Sequence, residues 1–289
     1  MSNFKPSFDQ IMELKKKDLR KSMQKRPLSD IKNTLKDVES PQNFKKALQN
    51  KKKFPLICEY KPASPSMGEI SQMGLKKAVD LFKEGGASAL SILTEKNFFK
   101  GDIEYLALAS KLTDIPIMRK DFILDEYHIF EARAFGASSV LLMSEIYPNI
   151  ATGIETCRSL GMEPLIECKN SIDVYNALDA DAEIVGINNR SFKDFSLDLD
   201  RTKALAPLIS EDIILVSESG VKNKEDVKKL CEYGADALLI GTSLMLAENI
   251  VETIYEYINA AENSLKSIYN SNSSRRNRKS GAESFEQFA

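Results

Sequence analysis

From Phe54 onward the chain alternates short apolar runs with stretches whose apolar residues recur every three or four positions, the pattern of β-strands interleaved with amphipathic helices. Eight runs stand out: FPLICEYK (54–61), ALSILTE (89–95), IPIMRKDF (115–122), SVLLMS (139–144), EPLIEC (163–168), IVGINNR (184–190), IILVSES (213–219) and ALLIGT (237–242). Their nearly continuous apolar character fits strands covered on both faces, as in a parallel sheet wrapped by helices. GASAL (86–90), GASSV (136–140) and GADAL (234–238) form a weak repeat, each setting a glycine where a helix ends before the next strand. This spacing favours closure into a (β/α)8 barrel, a TIM barrel. An open Rossmann sheet would want a GxGxxG turn after its first strand, and the sequence has none.

The flanks read differently. Residues 1–53 are predicted to form a charged helical extension, residues 54–269 the barrel, and residues 270–289 a polar tail expected to be disordered. Two basic runs, Lys15–Lys16–Lys17 and Lys51–Lys52–Lys53, are expected to be solvated.

With 289 residues, 43% of them hydrophobic and 28% charged, the chain can bury one full-sized core. Its 42 acidic and 40 basic residues leave a formal net charge of -2, so no overall field points to nucleic acid or an anionic membrane surface. The opening segment lacks the apolar core of a signal peptide, and no stretch approaches the ~20 apolar residues of a membrane span. The expectation is a cytoplasmic enzyme, monomeric or weakly homodimeric, that meets any anionic ligand locally. Cys58, Cys157, Cys168 and Cys231 show no CxxC spacing and are expected as reduced thiols. The single histidine, His128, has no partner one turn away for a metal, and a surface or helix-packing role is expected of it. Acid–base chemistry therefore falls to lysine and carboxylate side chains.

In a barrel these groups belong at the carboxyl ends of the strands, where the βα loops gather. There the sequence offers Glu59 and Lys61 on strand one, Arg119, Lys120 and Asp121 on strand three, and Glu167 on strand five. Asn188 and Arg190 follow on strand six, and Ser217, Glu218 and Ser219 on strand seven. A rim of salt bridges closing the barrel mouth would use the same residue types. Lysines and glutamates converging without histidine nevertheless suit proton transfer. SESGV (217–221) and GTS (241–243) place small residues and glycine just after strands seven and eight, a common position for phosphate held by backbone N–H groups.

Seven segments, in order and at strand spacing, resemble the signatures of the indole-3-glycerol phosphate synthase family: KPASPSMG (61–68), SILTEKNFFKGD (91–102), RKDFILDEYHIFEAR (119–133), PLIE (164–167), GINNR (186–190), SESG (217–220) and IGTSLM (240–245). The helical extension fits as well, since that family carries a segment covering the barrel. The resemblance implies a carboxy-lyase of tryptophan biosynthesis. Its substrate is a phosphorylated small molecule, 1-(2-carboxyphenylamino)-1-deoxyribulose 5-phosphate, closed to indole-3-glycerol phosphate with loss of carbon dioxide and water. No cofactor and no metal are implied. It further implies Lys120 as the acid for ring closure, Glu167 as the base, and Glu59 with Lys61 as a second acid–base pair. Ser64, Asn188, Arg190, Glu218 and Ser219 would hold the carboxylate and sugar hydroxyls, Phe99 and Phe122 the aryl ring, and Gly220, Gly241 and Thr242 the phosphate. Neighbouring Arg119 and Lys61, or burial, are expected to lower the Lys120 pKa towards neutrality. Met67 departs from the pattern, standing where the family commonly has a lysine. A phosphoribosylanthranilate isomerase-like barrel using Cys58, or a non-catalytic phosphometabolite-binding protein, are the competing readings.

Overall fold

The computed structural model describes residues 7–50, 52–191 and 193–283, the stretch 269–283 by its backbone alone. Eight parallel strands close into a barrel: β1 (Leu56–Tyr60), β2 (Ala89–Leu93), β3 (Ile117–Lys120), β4 (Ser139–Met143), β5 (Leu165–Cys168), β6 (Ile184–Asn188), β7 (Ile214–Glu218) and β8 (Ala237–Ile240). Each strand pairs with its sequence neighbour, and β1 closes on β8 through Leu56↔Leu238 to Cys58↔Ile240. All eight lie within the predicted runs, trimmed by one or two residues at one or both ends. An antiparallel pair of short strands, Ala63–Ser64 with Gly68–Glu69, folds the first βα loop back on itself.

Among the described residues, twelve helices surround the strands: α1 (Phe8–Lys25), α2 (Leu28–Thr34), α3 (Phe44–Leu48), α4 (Leu75–Glu84), α5 (Glu104–Leu112), α6 (Glu126–Ala134), α7 (Ile150–Ser159), α8 (Ser171–Asp179), α9 (Asp200–Leu205), α10 (Lys224–Glu232), α11 (Thr242–Met245) and α12 (Ile250–Glu283). Asp125, Asn149, Asn170 and Asn223 cap the amino ends of α6, α7, α8 and α10 by accepting backbone N–H bonds. Gly86, Gly136 and Gly234 leave their helices at φ of 88°, 88° and 100°, as their place in the repeat predicts. α12 runs on as helical backbone to Glu283, past the expected start of the tail at Asn270; no proline or glycine interrupts the sequence between Ile250 and Ser280. Residues 284–289 lie outside the described residues.

Two apolar layers result from strand alternation. One set of side chains, including Cys58, Leu90, Val140 and Ile166, packs outward against the helices. The other fills the barrel: Ile57, Met118, Leu165 and Val216 come from alternate strands, as barrel layers require. α3 lies at the amino ends of the strands, with Phe44 and Leu48 in this inner cluster and Lys45 paired at 2.7 Å with Glu183, the residue before β6. α1 joins the same cluster through Ile11 and Met12, with Phe8 edge-on to Phe122.

The expectation of solvated basic runs fails at two positions. Lys15 is buried, its Nζ 2.6 Å from Asp121 Oδ1, because one turn of α1 turns it down onto the end of β3. Lys53 donates to the carbonyl of Gly86, while Lys51 lies outside the described residues. His128 is not on the surface. It packs beneath α6, its Nδ1 accepting the Leu124 N–H at 3.2 Å, and burial together with nearby Lys15 and Arg119 holds its pKa well below the ordinary histidine value. No helix among the described residues is long and apolar enough to cross a membrane.

Candidate active site

Glu59, Lys120, Glu167 and Glu218 are the last or next-to-last residues of β1, β3, β5 and β7, the four odd-numbered strands, and each stands two residues beyond the apolar layer of Ile57, Met118, Leu165 and Val216. Side-chain period two therefore turns all four inward as the next layer of the barrel, an ionic one. Lys120 Nζ donates to Glu218 Oε2 at 2.8 Å and approaches Glu167 Oε2 at 3.4 Å. Lys61 Nζ lies 3.3 Å from Glu59 Oε1 and 5.8 Å from the centre of the Phe99 ring. The cluster is thus two lysine–carboxylate groupings facing one another.

Burial sets the electrostatics. It acts to lower the Lys120 pKa, but Glu218, Glu167 and Glu59 outweigh it and hold the value above that of an ordinary lysine. This corrects the expectation of a lowered value: Arg119, counted as a neighbouring cation, has the opposite strand parity and points away from the cavity, to Glu131 and the His128 carbonyl. Glu218 is raised to about 7, by burial first, opposed by Lys120 and reinforced by Glu167. Its Oε1 and the Oε2 of Glu59 are buried without a hydrogen-bond partner among the described residues. Two glycines make room for these carboxylates. A Cβ at Gly186 would overlap Glu218 Oε1, and one at Gly241 would overlap Glu59 Oε1.

Above this floor the cavity has two compartments that share Glu59, Lys61, Lys120, Arg190 and Ser219. The narrower, about 60 Å³, is walled by Phe99, Phe122, Leu93, Leu141 and Met143, with Ser64, Glu167 and Asn188 also on its lining. The wider, about 400 Å³, is bounded by Gly220, Gly241 and Thr242 together with Lys222 and Ser243. Among the strand-end candidates, Arg119, Ser217 and Glu218 are missing from both linings, and of the residues to which the family resemblance gives a role Glu218 alone is missing, lying behind Lys120 with no exposed surface. The turn after β7 is set by Ser219 and Gly220 at φ of 66° and 98°. Buried Asn189 holds that turn, donating to Ser217 Oγ at 2.9 Å and to the Ser219 carbonyl at 3.1 Å while accepting from Thr202.

Glu95, Phe195 and Lys222 escaped sequence reasoning, and Asp121, which it set among the strand-end groups, has another part. Asp121 is buried beside Lys120 but faces the other way, gathering Lys15, Arg119, Thr94 and the Phe122 N–H, and these cations hold its carboxyl far below the usual range despite burial. Glu95 and Phe195 reach the narrower compartment, and Lys222 supplies a cation in the wider one. Lys222, two residues past SESG, was open to view in the sequence. Cys58 faces the helix layer, where burial pushes its thiol pKa up, and it does not line the cavity.

Fold and site together define a (β/α)8 barrel whose carboxyl-end cavity gathers lysine and glutamate side chains. The description Indole-3-glycerol phosphate synthase belongs to the family model that matches residues 8–257. An indole-3-glycerol phosphate synthase of Methanothermobacter marburgensis is 46% identical over 280 residues, covering 97% of this chain and 98% of that protein. One of Alkaliphilus metalliredigens is 38% identical over 251 residues, covering 86% and 96%. Among solved structures, thiamine phosphate pyrophosphorylase from Pyrococcus furiosus superposes with a TM-score of 0.58 at 18% identity, over 73% of this chain and 97% of that one, a likeness of fold alone. The chain belongs to the indole-3-glycerol phosphate synthase family, carboxy-lyases of tryptophan biosynthesis.

Proposed function

We propose that the ionic layer carries out the family's ring closure on 1-(2-carboxyphenylamino)-1-deoxyribulose 5-phosphate, with Lys120 as the acid. In this reading the aryl ring enters the narrow compartment and packs against Phe99 and Phe122, which touch each other with centroids 6.4 Å apart. The phosphate meets the backbone at Gly220, Gly241 and Thr242, with Lys222 as its cation. That arrangement brings the ketone over Lys120. The ring carbon bearing the carboxylate attacks the ketone carbon while Lys120 delivers a proton to the carbonyl oxygen. Carbon dioxide then departs, leaving the electrons of its bond in the ring. Loss of the new hydroxyl as water, with removal of the adjacent proton, completes the indole.

Glu167 is the base in this scheme, and Glu59 with Lys61 serves the dehydration. Ser64, Asn188, Arg190 and Ser219 hold the carboxylate and the sugar hydroxyls, and Glu218 acts from behind Lys120. The observation that carries the reading is the position of Lys120 Nζ, 2.8 Å from Glu218 and 3.4 Å from Glu167 on the floor common to both compartments. Its raised pKa keeps it protonated at neutral pH, so its strength as an acid grows when substrate parts it from those carboxylates. The near-neutral net charge supports the absence of a nucleic-acid partner, and the reading further takes the enzyme as cytoplasmic and monomeric or weakly dimeric.

The test is direct because the chain contains no tryptophan, so product indole fluoresces without a tryptophan background. Protein mixed with the substrate, without added metal, is expected to develop indole emission. An unchanged spectrum at high enzyme concentration overturns the assignment.

A further inference from the structure

The loop between β2 and α5 carries Phe99 into the cavity, and one side chain organises it. Glu95 is 3% exposed and makes no ion pair among the described residues. Its carboxylate instead collects the backbone of its own loop: Oε1 accepts the Asn97 N–H at 2.9 Å, and Oε2 accepts those of Phe98 at 2.8 Å and Phe99 at 3.1 Å. Its carbonyl accepts the Gly101 N–H at 2.8 Å. Three converging N–H groups suit one carboxylate, and charge-assisted bonds of this kind are stronger than neutral ones.

The rest of the loop leaves it little freedom. Gly101 is pressed so close to the Leu93 carbonyl that a Cβ would overlap it, and Lys100 is held at φ 53°. At the tip, Asn97 is fastened to Asp18 of α1 at 3.1 Å. Phe98 and Phe99 pack against the inner cluster, and Phe99 meets both Phe122 and Lys61. Both oxygens of Glu95 are therefore engaged by the loop, although the residue borders the narrow compartment.

We infer that Glu95 is a positioning residue for the aryl subsite: its carboxylate fixes the backbone from which Phe99 reaches the ring, and so sets affinity for the aryl end of the substrate without taking part in proton transfer. The inference rests on the proposed placement of the aryl ring against Phe99.

Glu95→Gln keeps the shape but replaces one accepting oxygen with an amide that faces backbone donors. KM for the carboxyphenylamino-deoxyribulose phosphate is expected to rise about tenfold, with kcat held within about threefold. Inhibition by inorganic phosphate, which reports the other end of the cavity, stays unchanged. Combining Glu95→Gln with Phe99→Ala is expected to raise KM no further than Phe99→Ala alone. An unchanged KM in Glu95→Gln, multiplying effects in the double variant, or a parallel loss of phosphate inhibition overturns the inference. Phe99→Ala alone separates the two readings: if it leaves KM untouched the aryl placement fails, and if it raises KM while Glu95→Gln does not, only the role of Glu95 fails. Should Glu95→Gln not fold, Glu95→Asp replaces it, one methylene short of the three N–H groups, and the same rise in KM at preserved kcat is required.

Discussion

Lys120→Met preserves side-chain volume and removes the ammonium from the centre of the ionic layer, with two separable consequences. The first is kinetic. Loss of a positioned acid costs ~100- to 10,000-fold in rate, so single-turnover ring closure is expected to fall at least 100-fold while the substrate dissociation constant changes by less than about tenfold. The second concerns stability. Glu218, already raised to about 7 with Lys120 beside it, moves higher once that cation is gone. A carboxyl group whose folded pKa exceeds its unfolded value, ~4.3, binds its proton more tightly in the folded state, so its ionisation opposes folding as pH rises between the two values. Each further tenfold gain in its proton affinity adds ~1.4 kcal/mol to the deficit, up to the ~3–5 kcal/mol typical of a broken buried pair. Urea melts of parent and variant are thus expected to lie close together near pH 5.5 and to separate progressively towards pH 8.5. Near-normal single turnover removes Lys120 from the acid role and makes Lys61 the leading candidate. A stability difference independent of pH refutes the electrostatic account of the cluster.

Three further outcomes follow. Gly241→Ala, whose new methyl group meets Glu59, is expected to lower kcat as well as raise KM in steady-state assays; an effect on KM alone would mean that the glycine serves only the phosphate. Lys15→Met takes from buried Asp121 the nearer of its two cations, leaving Arg119, and is expected to cost up to roughly 3 kcal/mol in chemical denaturation. Because the Asp121 pKa is depressed, that deficit is full above its unfolded value of ~3.9 and shrinks as pH falls below it, and a deficit constant from pH 7 to pH 3 would refute the pairing. His128, the one histidine, is expected to give ring proton NMR signals that do not titrate between pH 8 and pH 6, and its failure to take a proton that the unfolded chain accepts lowers stability as pH drops below ~6.5.

The barrel was legible because period and punctuation agreed: eight apolar runs, with glycines ending the intervening helices, leave few ways to close a parallel sheet. The meeting place of the candidate groups was legible for the same reason, since Glu59, Lys120, Glu167 and Glu218 all stand at or next to the carboxyl ends of strands. What sequence could not supply was the charge each group feels. Lys120 is flanked in sequence by Arg119 and Asp121, yet alternation sends both to the other face and delivers three carboxylates from other strands instead. Lys15 reads as one member of a solvated run because it is a lysine, although its place four residues after Ile11 and three after Met12 sets it on the face of α1 that turns inward. Glu95 resembled a charged residue at a loop start, and its part emerges only when the backbone N–H groups of residues 97–99 converge on it.

The anchoring of α1 bears on how the chain is made. Its partners come late: Asp121 receives Lys15, Asn97 receives Asp18, and the Tyr127 hydroxyl donates to the Arg26 carbonyl across 101 residues. On the ribosome α1 emerges well before β3 and α6 and has no seat until they exist, so an element translated ahead of the barrel is placed only after three of the eight strands have been synthesised. A bulky fusion at the amino end therefore bears on the catalytic mouth, whereas one following α12, which packs outside the barrel against α4 and α10, adds its load to the outer layer of helices.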